Sequence, residues 1–286
     1  MPEITVLMPV KNGWKYIREA IDSVLLQSFK DFEFIIIDNG STDRTVSIIK
    51  SYGDPRIHLL EQKSDFIKAL NKGLSLAKGK YIARMDADDI MHSERLRIQH
   101  KRMEYNPDIA VCSTWAKSFK DDGSLHPPFQ FGNGYIEHAT LQLLRGNILV
   151  HPSVMMRKMF LDEHKLKYRN YPQTESYKLW FEIVKCGGRL YVEPQYLLNF
   201  RISDTQVSFI KKESISEQTI VIKKEILSYL LENIDNNKIL LKLYKAMVEL
   251  EKEETITPND TFQFFWGVLN KKLELIADNN LKFSQI

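Results

Sequence analysis

Three carboxylates occur within four residues of the sequence, at Asp86, Asp88 and Asp89. Like charges held this closely raise each other's pKa values unless a cation lies between them. Oxygen ligands of this kind suit Mg²⁺ or Mn²⁺, and such a hard cation commonly bridges phosphate groups. The structural alternative is that Asp86 ends a strand and the next two aspartates solvate a turn. Because the segment follows an apolar run, the pattern favours a divalent-cation site.

A second polar segment, residues 38–43, follows the apolar run Phe32–Ile37. Gly40 permits a tight turn there, so a plain strand–turn–helix corner explains part of the segment. It does not explain why a carboxylate, Asp38, and an amide, Asn39, stand side by side where the strand ends. Groups of these types can hydrogen-bond the edge of a nucleobase, so the segment is a candidate nucleotide contact.

The elements that would position these groups follow from hydrophobic periodicity. Four apolar runs are predicted as strands with helical patterns between them: Ile4–Pro9, Phe32–Ile37, Ile57–Leu60 and Tyr81–Met85. Such alternation is typical of βαβ units and a parallel sheet, in which ligands bind outside the carboxyl ends of the strands. We therefore expect Asn12, Asp38, Asn39 and residues 86–89 to lie along one edge of the sheet.

The composition is that of a soluble globular protein. The chain has 286 residues and a formal net charge of +3, with 43% hydrophobic and 27% charged residues. These values argue against wholesale disorder, collagen and a coiled coil, and the charge balance gives no support for a nucleic-acid partner. Two cysteines, Cys112 and Cys186, are too few for a disulfide framework or a zinc site and suggest a reducing compartment.

The pattern changes after Ser208, where Lys, Glu, Leu and Ile dominate. We predict a domain over residues 1–205 and a helical extension over residues 206–286. The first nine residues do not resemble a secretory signal, and no apolar run approaches the roughly 20 residues of a membrane span, so we expect a cytoplasmic protein. Paired lysines near an aromatic stripe in the extension usually form a solvated face. Peripheral contact with an anionic membrane is the alternative.

Three common nucleotide or hydrolase motifs are absent: G-x-G-x-x-G after the first strand, the P-loop and G-x-S-x-G. The chain instead resembles the family 2 inverting glycosyltransferases of the bacterial surface-polysaccharide type, from about Ile4 to Arg201. The resemblance implies an α/β fold, the Rossmann-like GT-A fold, with a C-terminal helical extension. The matching segments are ITVLMPVKNGWKYIREAIDSVLLQSFKDFEFIIIDNGSTD, YGDPRIHLL, ALNKGLSLAKGKYIARMDADDIMHSERL, NPDIAVCST, HPSVMMRK and YKLW.

The resemblance also implies roles for single residues. Asp88 would be the metal ligand of the D-x-D motif, and Asp86 would face the ribose and the donor sugar. Asn39 would hydrogen-bond a uracil ring, and His151 belongs to a motif near the acceptor side, although a lone His before Pro is more often structural. Trp180 is the second acceptor-side candidate because aromatic faces pack on sugar rings, and the alternative is a core tryptophan on an apolar helix face. The implied nucleotide-sugar contacts are, in full, Pro9, Val10, Asn12, Asp38, Asn39, Asp86, Ala87 and Asp88.

Four positions depart from the family pattern. Lys11 replaces a common Tyr that stacks on the base, and Asn39 replaces an Asp, although an amide oxygen can still accept a hydrogen bond from uracil. Ser176 replaces the acidic residue usually assigned as the catalytic base, and Ser203 replaces a His that coordinates the metal in some relatives. Two interpretations stay open: either Glu175 takes the role of the base, or catalysis is impaired.

The expected function is therefore transfer of a sugar, with inversion, from a nucleotide-sugar donor, with UDP as the nucleotide, to a surface glycan or a lipid-linked acceptor. Glu175 and Ser176 are the candidate catalytic positions, and Mn²⁺ or Mg²⁺ is the expected cofactor. One alternative is a nucleotide-sugar-binding partner protein without turnover. A nucleotidyltransferase is disfavoured because the loop after the first strand carries only Lys11-Asn12-Gly13 instead of a Gly- and Arg/Lys-rich segment.

Overall fold

A computed structural model describes residues 1–63, 65–203, 212–233, 238–253 and 255–278. The described residues contain ten strands: β1 Ile4–Val10, β2 Phe32–Asp38, β3 Ile57–Glu61, β4 Tyr81–Arg84, β5 Ile90–Met91, β6 Ile109–Phe119, β7 Leu125–Phe129, β8 Gly134–Tyr135, β9 Met155–Arg157 and β10 Arg189–Arg201. They also contain ten α-helices: α1 Ile17–Leu25, α2 Thr45–Lys50, α3 Phe66–Leu76, α4 Arg95–Tyr105, α5 Ala139–Arg145, α6 Lys158–Glu163, α7 Glu175–Lys185, α8 Lys212–Asn233, α9 Lys238–Lys252 and α10 Pro258–Asp278.

The strands form one mixed sheet in the order β3-β2-β1-β4-β9-β6-β10-β5, with β7 beside β6 and β8 beside β10. The pairs β1–β2, β1–β4 and β2–β3 are parallel, as predicted. Strand β9 is antiparallel to both β4 and β6, so the sheet as a whole is mixed. Every residue of β1, β2 and β4 is buried, which is typical of strands covered on both faces.

Hydrophobic periodicity also predicts separate strands over Arg189–Val192 and Leu197–Arg201 and a helix over Tyr135–Leu144, and the structure differs at both places. The runs Arg189–Val192 and Leu197–Arg201 are parts of one strand, β10, whose pairing with β6 is irregular between Glu193 and Leu198. Pro194 lies in that interval, and proline has no N–H to donate to a ladder, so the pattern is interrupted without ending the strand. The helix predicted over Tyr135–Leu144 begins only at Ala139, after strand β8.

The chain divides into two compact units. The first contains residues 1–139 and 147–210, including the whole sheet, and the second contains residues 140–146 and 211–286. Residues 140–146 thus cluster with the second unit, although they fall within the domain predicted over residues 1–205, and the predicted boundary at 205/206 lies outside the described residues. Within the second unit, helices α8, α9 and α10 bury Ile226, Leu230 and Phe265. Among the described residues, no helix is both long and apolar enough to cross a membrane.

Helix α3 approaches strand β1 very closely at Gly73. A β-carbon built on Gly73 would lie 2.2 Å from Cδ1 of Leu7, in the middle of β1. Any side chain at this position would require Leu7 to move, so Gly73 allows the helix to pack this closely on the sheet.

We predict that Gly73→Ala lowers the free energy of unfolding by about 1–3 kcal/mol, the usual effect of overpacking a core. Gly267→Ala is the control, because Gly267 is an exposed helical glycine whose added methyl group would meet no atom within 4 Å. That variant should be neutral or slightly stabilising. Urea unfolding followed by circular dichroism measures both, and equal stability of Gly73→Ala and the unsubstituted protein would contradict the prediction.

Candidate active site

The carboxyl ends of β1 and β2 lie side by side. Val10 is paired with Asp38, and the backbone N–H of Asn39 donates a 2.8 Å hydrogen bond to the Val10 carbonyl. Pro9 and Val10 are buried, and Asn39 is only 8% exposed. The structure thus brings together the four predicted nucleotide contacts on these two strands.

The loop after β1 is tied to the loop after β2 through Asn12. Its backbone N–H donates to the Ser41 hydroxyl over 2.8 Å, and its side-chain oxygen accepts from the Thr42 amide over 2.9 Å. Asn12 has φ of +53°, a left-handed conformation that asparagine tolerates better than most residues. Asn12 therefore shapes the rim of the site, and much of its hydrogen-bonding capacity is used within the protein.

Asp38 has a similar structural role in the turn after β2. Its carboxylate accepts from the backbone N–H groups of Gly40 and Ser41 over 3.2 and 3.0 Å, and the residue is 3% exposed. Gly40 has φ of +77°, so the turn needs a residue without a β-carbon there. Asp38 therefore stabilises this turn. The neighbouring Asn39 has a side chain of the type that can hydrogen-bond the edge of a nucleobase.

Strand β4 delivers the aspartates to the same edge. Leu7 of β1 is paired with Arg84, and its carbonyl accepts from the Met85 amide over 3.0 Å. A β-carbon on Gly13 would lie 3.8 Å from Cβ of Ala87, so the turn after β4 adjoins the loop after β1. The expectation of a shared edge for the three polar segments matches this geometry.

The three carboxylates are close enough to share a cation. One oxygen from each of Asp86, Asp88 and Asp89 lies within 4.8 Å of the others. Asp89 is fully buried, and its Oδ2 has no hydrogen-bond partner among the described residues. Burial, together with the charges of Asp86 and Asp88, raises the pKa of Asp89 well above its usual value. An orphaned carboxylate oxygen in a cluster of hard oxygen ligands fits Mg²⁺ or Mn²⁺.

Arg84 partly compensates this negative charge. Its side chain is 2% exposed and forms an ion pair with Asp86. Its Nε has no acceptor among the described residues, although a buried guanidinium donor without an acceptor is costly. Arg84 therefore offers a donor that a bound ligand could use.

Arg95 of α4 fixes the backbone beneath the aspartates. Its guanidinium donates to the carbonyls of Arg84, Pro152 and Val154 over 2.9, 2.8 and 3.2 Å. Gln99, one helical turn later, donates to the Ser153 carbonyl over 2.9 Å. The end of β4 and the short helix His151–Ser153 are thus positioned by the same helix.

His151 and Trp180, the predicted acceptor-side residues, lie together. Their rings are 5.9 Å apart in an edge-to-face arrangement, and Nε2 of His151 is hydrogen-bonded to the Tyr168 hydroxyl at 2.9 Å. Burial and the charge of Arg84 lower the pKa of His151 well below its usual value, so the imidazole is neutral and a weak base. Trp180 is fully buried, and its indole N–H has no partner among the described residues. A sugar therefore has no exposed indole face to pack on.

Glu175 and Ser176 open helix α7, and both are 5% exposed. The Oε2 atom of Glu175 is buried and has no hydrogen-bond partner among the described residues. Burial raises the pKa of Glu175, and Asp86 raises it further, while Arg84 lowers it. These effects place the carboxylate in the same electrostatic environment as the aspartates, and a raised pKa makes it a better base than an ordinary glutamate.

Sequence reasoning missed several residues that shape this site: Arg84, Arg95, Gln99, Tyr168 and Arg201. A signal existed for Gln99, which shares the buried stripe of α4 with Leu96 and Met103 at helical spacing. Polar residues on such a stripe are unusual and suggest a buried network. No comparable signal marks Tyr168, whose contact with His151 depends on the tertiary fold.

Comparison with known proteins identifies the family. The model described as glycosyl transferase family 2 matches residues 5–165. An uncharacterized glycosyltransferase of Methanocaldococcus jannaschii is 32% identical over 223 residues, or 75% of this chain and 76% of that protein. One from Haemophilus influenzae is 30% identical over 261 residues, covering 85% and 80% of the two chains. The chain belongs to the family 2 glycosyltransferases.

The fold agrees with the solved structure of another protein. Staphylococcus aureus TarS 1-349 in complex with UDP-GlcNAc matches with a TM-score of 0.65 and 19% identity, over 81% of this chain and 72% of that chain. The complex with UDP matches with a TM-score of 0.62 and 20% identity, over 79% and 65% of the two chains. This family 2 glycosyltransferase therefore has the predicted α/β GT-A fold.

We predict that Arg84→Met increases the stabilisation by Mn²⁺, because Asp86, Asp88 and Asp89 then repel one another without the ion pair. Without cation, the midpoint of thermal unfolding should fall, and by more at pH 8 than at pH 5. Folding raises the pKa of Asp89, so its carboxylate destabilises the folded state once it is ionised. The loss of stability in Arg84→Met therefore grows as the pH rises.

Arg157→Met is the matched control for this experiment. Arg157 is also a buried arginine, but it donates to the carbonyls of Met103 and Ile109 instead of pairing with a carboxylate. The control should unfold at a lower temperature with no added response to Mn²⁺. An equal Mn²⁺ response of Arg84→Met and the unsubstituted protein would contradict the prediction.

Proposed function

We propose that this glycosyltransferase moves a sugar from a UDP-sugar to a hydroxyl group of a surface glycan or lipid-linked acceptor, with inversion and with Mg²⁺ or Mn²⁺ as cofactor. One observation carries the proposal: the polar ends of β1, β2 and β4 meet at one edge, beside a buried carboxylate that has an unused oxygen. The UDP and UDP-GlcNAc complexes of the structurally similar TarS support the choice of nucleotide.

The donor would lie along the edge of β1, β2 and β4. The Asn39 side chain can accept a hydrogen bond from a uracil ring, and the loop at Asn12 would wrap the base. Lys11 is exposed and offers no aromatic surface, so binding of the base depends more on these hydrogen bonds. Asp86, held by Arg84, would face the ribose and the donor sugar.

Asp88, with Asp86 and Asp89 beside it, would hold the divalent cation. When bound, the cation stabilises the negative charge that develops on the diphosphate leaving group. The chain's own contribution is to place its carboxylates within 4.8 Å of one another and to retain one orphaned oxygen. The Asp86–Arg84 ion pair limits the repulsion within this cluster.

Glu175 is the base in this proposal. A serine hydroxyl cannot accept a proton near neutral pH, so Ser176 cannot replace the missing acid. Burial and Arg84 lower the pKa of His151, which makes it a weaker base, whereas Glu175 has a buried carboxylate oxygen without a hydrogen-bond partner among the described residues and a raised pKa. Glu175 would take the proton from the acceptor hydroxyl as that oxygen attacks the anomeric carbon from the face opposite the diphosphate, which inverts the configuration.

We predict that Glu175→Gln lowers turnover by about 10²–10⁴-fold, the usual contribution of a general base. Binding of UDP with Mn²⁺ should not change, because the amide keeps the size of the side chain. Transfer from UDP-sugars and isothermal titration with UDP measure the two quantities. Ser176→Ala is the control and should retain turnover; loss of activity in the control alone would sink the assignment.

The pH profile tests the same assignment independently. A base acts only when deprotonated, so a raised pKa of Glu175 shifts the acid limb of kcat above the value of about 4.3 for an ordinary glutamate. We expect turnover to fall as the pH drops through this raised pKa. The residual activity of Glu175→Gln should lack that limb, and an unchanged limb in the variant would assign it to another group.

A nucleotide-sugar-binding protein without turnover is the second candidate, favoured by Ser176 and Ser203. The two functions differ in one measurement. The binding protein would show a UDP-dependent thermal shift without hydrolysis of any UDP-sugar in the presence of Mn²⁺. Ser176→Asp then distinguishes a damaged site, in which it should raise turnover, from a site that uses Glu175, in which it should not.

Peripheral membrane contact through the helical unit belongs to the same proposal. Of the paired lysines, Lys224 is bound to Glu251, and Lys223 lies 5.0 Å over the ring of Phe262, so both are used within the unit. Among the described residues of the unit, Phe264 is the exposed aromatic residue, at 46%.

We predict that Phe264→Glu reduces cosedimentation with vesicles that contain anionic lipid. The substitution replaces an exposed apolar ring by a charge that the membrane repels. Leu125→Glu is the control, since Leu125 is exposed in the other unit. Equal sedimentation of both variants and the unsubstituted protein would contradict membrane contact through Phe264 of the helical unit.

A further inference from the structure

Arg201, the last residue of β10, contacts the aspartate turn twice. Its backbone N–H donates to Oδ1 of Asp89 over 2.9 Å, and its Nε donates to the carbonyl of Asp88 over 2.9 Å. The first bond orients the buried carboxylate, and the second fixes the backbone that carries the Asp88 side chain. Asp88 and Asp89 are therefore both held by a residue more than a hundred positions away in the chain.

The guanidinium of Arg201 is itself held in place from several sides. Nη2 donates to Oε2 of Glu19 over 2.7 Å, and Nη1 donates to Oδ1 of Asp121 over 2.9 Å. Its central carbon lies 4.2 Å from the ring centroid of Tyr16 and 4.6 Å from that of Phe119. The side chain is 6% exposed. A guanidinium whose nitrogens are bound by carboxylates and that packs against two aromatic rings is a rigid support.

Asp121 extends this support to the loop after β1. Its other carboxylate oxygen is bound by Lys15 and by the Tyr16 hydroxyl. One aspartate thus joins the segment that follows Asn12 to the arginine that holds Asp88. The aspartate turn and the loop after β1 are therefore connected through a chain of charged hydrogen bonds, outside the groups that would touch the donor.

We infer that Arg201 is a positioning residue for the cation site, and that Asp121 acts through it. This inference rests on the proposed function, in which Asp88 holds the cation with the diphosphate. Partners of metal ligands typically change metal affinity by about 10–100-fold when they are substituted. Arg201 meets that description because it fixes the Asp88 backbone and the Asp89 carboxylate without being a ligand.

The test measures the affinity of the full chain for UDP by calorimetry, with and without Mn²⁺. Arg201→Lys loses the Nε bond to the Asp88 carbonyl but retains the positive charge and the backbone bond to Asp89. We expect Mn²⁺-dependent UDP binding to weaken by about 10-fold or more, while UDP binding without the cation changes little. An Arg201→Lys variant that binds UDP with Mn²⁺ as tightly as the unsubstituted chain overturns the inference.

Arg157→Lys separates positioning from general loss of stability. Arg157 is 8% exposed and also holds backbone carbonyls, but those of Met103 and Ile109. This control should lower the unfolding temperature and leave Mn²⁺-dependent UDP binding unchanged. Equal weakening in Arg157→Lys and Arg201→Lys would show a merely structural role and overturn the inference.

Asp121→Asn completes a double-mutant cycle with Arg201→Lys. If Asp121 acts through Arg201, the double variant should bind UDP with Mn²⁺ about as weakly as Arg201→Lys alone. If the two substitutions instead weaken UDP binding independently, so that their effects multiply in the double variant, Asp121 does not act through Arg201. An unsubstituted chain that does not bind UDP with Mn²⁺ at all would overturn the proposed donor and this inference together, whereas tight binding by every variant would overturn the inference alone.

Discussion

The mutual repulsion of three aspartates at the end of β4 is the constraint that organises the surrounding structure. Asp86, Asp88 and Asp89 are brought within a few ångströms of one another, and Asp89 is completely buried. Such an arrangement is unfavourable by itself, so the structure supplies cationic and hydrogen-bonding partners around it. Arg84 pairs with Asp86, and the backbone of Arg201 donates to Asp89. One buried oxygen is left over, which is the opening that a cation would fill.

Along the rest of this edge of the sheet, polar side chains are already hydrogen-bonded to the protein's own backbone. Asp38 and Asn12 use much of their hydrogen-bonding capacity on the turns that follow β1 and β2. A rim made in this way is preorganised, because the loops need not be ordered when a ligand arrives. The distinction separates residues that shape the site from those with atoms still unused, notably Glu175 and Arg84.

The sequence predicts the edge of the sheet well because short-range patterns encode it. Apolar runs of strand length end in polar residues, and parallel pairing brings those ends together. The antiparallel insertion of strand β9 between β4 and β6 has no local signal of this kind, because it depends on the whole fold. Arg95 was missed as a site residue because the partners that tie it to the site are backbone carbonyls, which exist at every position and leave no trace in composition.

Ser176 shows a different limit of prediction. The resemblance shows that Ser176 stands where the family has its catalytic base. Whether another residue can act as the base depends on which carboxylate oxygens are buried and without a hydrogen-bond partner. The structure places the neighbouring Glu175 with a buried, unused oxygen and a raised pKa. Neither property can be read from residue type alone.

The location of Arg201 at the end of β10 has a consequence for how the protein matures. The family match ends at residue 165, yet the turn at residues 86–89 receives hydrogen bonds from residue 201. During synthesis, the first strands leave the ribosome well before that arginine does. Contacts between residues so far apart in sequence form slowly compared with local ones. The aspartate turn should therefore be among the last parts to reach its final geometry, and a chain that ends before β10 would lack the hydrogen bonds that fix this turn.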